Sequence, residues 1–237
     1  MKKIKQIKKT PLLYRIFLFL FFLISLIIYL KQVFFVNNFF LLIKKTFYFF
    51  TNQSNFLVVI ILFLNFTNFK QNKYYPLLAF IVLIDILLTG LVWNFIASPK
   101  NELLEINKDF FTISLFQHLY IPCFYVIFFF SPLVPFNPFF TLKQAYLALI
   151  HPLFYLFYSL ILAYGSQEKI YTYPYNFMNP KSKCNLSNLF LHFLSLDYYY
   201  QQKQGFLGVF INNIVLLIIL SIFILFLYSL YRKINFE

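Results

Sequence analysis

A threonine hydroxyl, a histidine imidazole and an aspartate carboxylate each stand inside a long apolar block of this chain. They are Thr51 in FYFFTNQSNF (47–56), His118 in HLYIP (118–122) and Asp85 in LIDILLTGLVW (83–93). These are the groups of an activated nucleophile, in which the hydroxyl attacks, the imidazole removes its proton and a third group orients the imidazole. Thr51 also opens an unbroken run of hydrogen-bonding side chains, continued by Asn52, Gln53, Ser54 and Asn55. Gln53, Ser54 and Asn55 lie within one turn of Thr51 and are candidate oxyanion donors. A plainer reading stands beside this one. Thr, Ser and Asn inside membrane helices often only bond one helix to the next, and a single His or Asp can do the same. His151, just before Pro152, and His192 are read as structural rather than chemical.

The elements that must position these groups are membrane spans. Of the 237 residues, 61% are apolar and only 11% charged, whereas a soluble domain keeps roughly a quarter of its residues charged. The apolar residues fall in long blocks, and a bilayer core needs about 20 of them per helix. Spans are expected near 12–30, 46–67, 75–96, 110–131, 145–164 and 206–230, with a Pro-rich turn at 131–140 and a long outer loop at 165–205. The segment 33–43 reads as an interfacial helix or an extension of the first span. The fold class is therefore all-α: a polytopic membrane protein with six helices in one bundle, a single domain over 1–237.

Depth and face bring the polar groups together. At ~1.5 Å per residue, Thr51 lies about 8 Å below the outer surface and His118 about 12 Å. Trp93 and Asn94 close the outer end of span three, and Tyr158 and Ser159 fall in the outer half of span five. Residues three and four apart share a helix face. Thr51, Ser54, Asn55, Val58 and Leu62 form one stripe, Ser114, His118, Pro122 and Tyr125 another, and Asp85, Thr89 and Trp93 a third. Pro122 lacks the N–H that would bond the His118 carbonyl, which leaves that oxygen for a ligand or water. The expected pocket thus holds Asp85, Trp93, Ser114, Pro122 and Tyr158 around Thr51 and His118.

The formal charge of +13 does not point to nucleic acid. Lys2, Lys3, Lys5, Lys8, Lys9 and Arg15 precede the first apolar block, and Arg232 and Lys233 follow the last, the flanking bias that holds positive residues on the cytoplasmic side. Both termini are expected inside the cell, in a plasma membrane whose anionic lipid is the partner of these charges. Lys44, Lys45 and the lysines of the long loop obey the bias less well. The first apolar run exceeds a signal-peptide core and no small-residue cleavage site follows it, so it reads as an uncleaved span. Cys123 and Cys184 give neither a disulfide framework nor metal spacing. No phosphate loop or dinucleotide fingerprint is present, and no cofactor is expected. Heavy use of Phe, Tyr, Asn, Lys and Ile suggests an AT-rich, bacterial source, and the three glycosylation-like tripeptides are discounted.

Four ordered motifs carry a resemblance: FFTNQSNFLV (49–58), HLYIP (118–122), HPLFYLFYSLILAYG (151–165) and YPYNF (173–177). They resemble a family of small bacterial six-helix membrane proteins, over about residues 46–178. That family is distantly similar to the androgen-induced and androgen-dependent membrane proteins, intramembrane threonine hydrolases of fatty acid esters of hydroxy fatty acids. The resemblance implies Thr51 as nucleophile and His118 as base. The His-to-Pro spacing is one residue shorter here and the run after Thr51 more polar. Tyr173, Pro174 and Tyr175 would then sit at the outer interface and could cover the cavity. The expected activity is hydrolysis of a lipid-like ester. A non-enzymatic substrate-binding or transport subunit is the alternative, although span one lacks the paired small residues by which vitamin-capturing subunits dock. A third reading is a structural membrane protein whose polar layer only fixes packing.

Overall fold

The structure, a computed structural model, describes residues 11–34, 47–93, 113–135, 140–165, 178–180 and 205–236. Among them there are helices and turns and no strand. Helix α1 spans Leu12–Phe34, α2 Phe50–Asn65 and α3 Tyr75–Leu91. A π-helical turn at Phe116–Tyr120 runs into α4, Ile121–Phe130. A short α5, Leu142–Ala145, continues through a 3-10 turn, Tyr146–Leu149, into α6, Ile150–Gly165. The last helix, α7, is Gly205–Phe236.

Local chemistry sets these boundaries. Thr67 accepts from the Phe69 N–H to start the turn between α2 and α3, and Pro76 sits in the first turn of α3, where its missing N–H costs nothing. Ser131 ends α4: its hydroxyl donates to the Phe128 carbonyl and accepts from the Leu133 N–H. Thr141 and Gln144 form a reciprocal capping box that opens α5.

Four segments, Leu12–Lys31, Ile113–Phe130, Leu142–Ile161 and Phe206–Ile234, are long and apolar enough to cross a membrane. The two between them in sequence fall short. Helix α2 has 16 residues and α3 has 17, so each is about 24–26 Å long against a hydrocarbon core of about 30 Å. The expected span 46–67 loses its start because Phe49 is extended and α2 begins at Phe50. The span expected to reach 96 leaves α-helical geometry after Leu91, where Val92 and Trp93 form a π turn.

The short helices are the innermost. Helix α3 packs against both α2 and α4, while α1 leans on α2 and α7 touches α3 and the 3-10 turn before α6. Ala79, Phe80, Leu83 and Ile86 of α3 are fully buried. Phe140 lies against Phe80, Tyr228 and Tyr231 and joins α3 to α7. A polar tie closes the opposite end of α2: Asn65 Nδ2 donates to the Tyr75 hydroxyl at 2.8 Å and to the Leu133 carbonyl at 2.9 Å. Outward faces of α1, α6 and α7 expose Phe19, Ile27, Phe154, Ile161, Ile218 and Phe226, as lipid-facing helices do. The expected features at 35–43, Asn94, 136–139, the loop motif Tyr173–Tyr175, Cys184 and His192 lie outside the described residues.

Candidate active site

Thr51 is the second residue of α2 and is buried. His118 is buried too, in the middle of the π-helical turn. Both line a single cavity of ≈ 70 Å³. Phe50 adjoins Thr51 in its wall, and the rest comes from four other stretches of chain. Leu88, Thr89, Val92 and Trp93 contribute from the end of α3, and Pro152, Leu153, Tyr155 and Leu156 from α6. Asn213, Leu216, Leu217 and Leu220 of α7, with Met178, complete it. Most of this wall is aliphatic, and Thr51, Thr89, Trp93, His118, Tyr155 and Asn213 are its residues with polar side-chain atoms. At about 10–15 Å³ per water-sized site, the space would hold a few waters or a short run of methylenes.

The local backbone explains how His118 arrives there. Pro122 stands four residues after it, and a proline ring clashes with the carbonyl four residues back. The helix answers by widening: the Ile121 N–H bonds the Phe116 carbonyl, five residues back. Such π turns recur at functional sites because they re-aim one side chain without breaking the helix. Here the imidazole is hydrogen-bonded to the Thr89 backbone. Its ring lies flat on that of Trp93, with centroids 4.2 Å apart and an interplanar angle of 8°. A neutral imidazole that donates from one nitrogen can take a proton at the other, and the indole and the Thr89 backbone fix its plane.

The His118 carbonyl does not open to a ligand as expected. It is covered by Gly90 of α3, where an added Cβ would lie 3.0 Å from that oxygen and 3.4 Å from Pro122 Cγ. Pro122 is therefore a packing partner of Gly90, not a wall of the cavity. The glycine is needed for this close approach between two helices.

Several other expected residues also sit elsewhere. Ser54 donates its hydroxyl to the Phe50 carbonyl and Asn55 its amide to the Thr51 carbonyl, so both side chains are turned back onto α2. Gln53 donates to the Phe47 carbonyl and reaches His151. None of the three lines the cavity, and the side-chain oxyanion reading is not carried by this geometry. Ser114 is buried and Tyr158 half-buried, both outside the lining.

Asp85 was expected beside His118. It is fully buried, but its Oδ2 lies 2.9 Å from Nδ1 of His151. His151 Nε2 is in turn 2.9 Å from Gln53 Oε1, and Phe50 stacks on the ring at 5.0 Å. His151 was read as structural, at the inner end of its span. The helical run begins at Leu142 rather than 145, which sets His151 nearer mid-span, level with Asp85 in the middle of α3. The signal available in the sequence is the pairing rule that a buried carboxylate needs a cation or donor close by, applied to an Asp and a His that both fall inside expected spans. Among the described residues, no group of three His, Cys, Asp or Glu is arranged to hold a metal.

Comparison of the chain with known protein families, with curated proteins and with solved structures finds no match.

Proposed function

We propose that this chain is an intramembrane hydrolase of a lipid-like ester, with Thr51 as nucleophile and His118 as general base. The observation that carries the reading is that a hydroxyl and an imidazole from different helices line one apolar cavity. His118 takes the Thr51 proton as the hydroxyl oxygen adds to the ester carbonyl. It returns that proton to the departing alkoxide, leaving an acyl-threonine that water then cleaves by the same base. Oxyanion donors are better sought among the backbone N–H groups that open α2 ahead of Asn52, where the helix dipole favours negative charge, since those of Asn52 and Gln53 already donate to the Phe49 carbonyl. The aliphatic wall suits an acyl chain. The motif resemblance to the threonine hydrolases points to the same pair.

In this reading all six apolar helices cross the plasma membrane of a bacterial cell, with both termini cytoplasmic. The short α2 and α3 are accommodated because longer helices surround them. The same cavity also favours a second reading, a substrate-binding or transport subunit, since an apolar wall with few polar atoms would hold a ligand without chemistry. Full-length protein in lipid nanodiscs, incubated with a panel of acyl esters, separates the two. Release of fatty acid that is lost in Thr51→Val and in His118→Gln supports the hydrolase. Saturable binding of an acyl ligand without turnover, unchanged in Thr51→Val, supports the binding subunit.

A further inference from the structure

Phe47, Gln53, His151 and Asp85 form a hydrogen-bonded chain that the Thr51–His118 reaction does not use. Its geometry fixes where the hydrogens lie. Gln53 Nε2 contacts the Phe47 carbonyl at 2.6 Å, and a carbonyl can only accept, so the amide nitrogen faces Phe47. Gln53 Oε1 therefore faces His151, and at 2.9 Å from Nε2 it must receive a hydrogen from it. The other ring nitrogen, Nδ1, faces a second acceptor, Oδ2 of Asp85, also at 2.9 Å. An imidazole flanked by two acceptors is satisfied only when a proton lies on each side. Either partner can carry the second formally: imidazolium with carboxylate, or neutral imidazole with carboxylic acid.

We propose that Asp85, His151 and Gln53 form an intramembrane proton-binding site, the bound proton lying between Asp85 Oδ2 and His151 Nδ1. Losing that proton to water cannot leave the chain intact. If Nε2 keeps its hydrogen, the carboxylate faces the Nδ1 lone pair. If the ring tautomerises so that Nδ1 donates to Asp85, the Nε2 lone pair faces Gln53 Oε1, and that link, with the amide's hold on Phe47, must break. Occupancy thus latches the first turn of α2 to α3 and α6.

Two further observations support a site that binds and releases. Among the described residues, Asp85 Oδ1 is buried with no hydrogen-bond partner and His151 is the one ion-pair partner of the carboxyl, so it is not neutralised from its other side. The His151 side chain is 23% exposed while Asp85 is fully covered, so the imidazole is the accessible end of the pair. The ionisable neighbours are few. Tyr125 from α4, near enough to feel the Asp85 charge, donates to the Ala79 carbonyl, and Tyr155 from α6 donates to the Tyr48 carbonyl. Tyr75 lies beyond Tyr125, and His118 is held against Trp93. Paired carboxyl and imidazole groups inside membranes serve as proton carriers in other settings. His151 is not assigned as a base for Thr51: it does not line the cavity that holds Thr51 and His118, and it bonds Gln53, two positions and about 200° of helix turn on from Thr51.

The test is a pH titration of full-length protein, labelled with ¹⁵N-histidine, in nanodiscs. The chain has 3 histidines, and His118→Gln and His192→Gln variants identify the other two. The expected result is that His151 carries hydrogens at both nitrogens, or shares one with Asp85, at low pH and releases one proton in a single step. Amide exchange at residues 50–53, corrected for intrinsic rate, should accelerate with that step. Gln53→Leu, which no longer demands an Nε2 hydrogen, should weaken proton affinity about tenfold and uncouple exchange from it. A His151 that is the plain Nδ1–H tautomer at every pH, or keeps one protonation state wherever the chain stays folded, overturns the proposal. So does an identical titration in Gln53→Leu.

Discussion

Replacing Gly90 by alanine tests how tightly the site's geometry depends on one close approach. The new methyl would lie 3.0 Å from the His118 carbonyl oxygen, where a carbon–oxygen contact normally needs about 3.3 Å or more. The two helices must therefore separate by roughly 0.3 Å, or the π turn must rotate. Two terms oppose each other. Alanine in a helix interior gains about 1 kcal/mol over glycine, and overpacking a filled interface costs about 1–3 kcal/mol. The obstacle is backbone, not the end of a flexible side chain, so the cost belongs in the upper part of that range. The net expectation is a destabilisation of about 1 kcal/mol. Function should suffer more than stability, because displacements of about 1 Å can cost 10²-fold in rate and His118 sits on the displaced turn. Unfolding in mixed micelles gives the stability, and ester hydrolysis or probe labelling gives the rate. Gly90→Val should be worse on both counts. A Gly90→Ala chain that is stabilised by the full propensity gain and reacts at the wild-type rate would refute the reasoning.

Trp93 is the single tryptophan and its ring stacks on His118, so His118→Leu should change its emission spectrum by replacing a polar ring in contact with an apolar side chain; an unchanged spectrum would place the two rings apart. Leu217→Trp or Leu220→Trp fills the cavity from α7 and should block bulky acyl substrates far more than short ones, as a chain-length series would read. Asn65→Leu removes two buried hydrogen bonds and strands the Leu133 carbonyl, at a cost of about 1–3 kcal/mol in unfolding, while leaving the proposed hydrolysis rate of the folded protein unchanged.

Long apolar blocks made the helices legible, and each of the six expected segments begins or ends within a few residues of an observed helical run. The ends of the two central helices were not. Nothing local in Phe47–Phe50 signals that α2 waits until Phe50, because that start is set by tertiary ties such as Tyr155 to the Tyr48 carbonyl. Thr51 and His118 could be picked out as polar groups on buried stripes. Helical period alone, however, cannot say which side chain meets which across a bundle. Asp85 shares a face with Thr89 and Trp93, which suggested His118 as its partner, yet α6 brings His151 closer. The run TNQSN illustrates the same limit. Ser54 and Asn55 bond their own helix, Gln53 bonds His151, and only Thr51 lines the cavity. Side-chain periodicity indicates exposure, and the partner is decided by packing. Gly90 was passed over because a glycine in an apolar helix carries no chemistry of its own. Its role appears only once His118 is seen against it.

The claim on which the account rests is that Thr51 attacks and His118 removes its proton. The most direct measurement is covalent labelling of the full-length protein by a fluorophosphonate probe, with the adduct mapped by peptide mass spectrometry. The account predicts an adduct on Thr51. It predicts loss of labelling in Thr51→Ala and slowing of about 10²–10⁴-fold in His118→Ala, with helical content unchanged by circular dichroism. Labelling that survives in Thr51→Ala, or an adduct mapped to another residue, would contradict it.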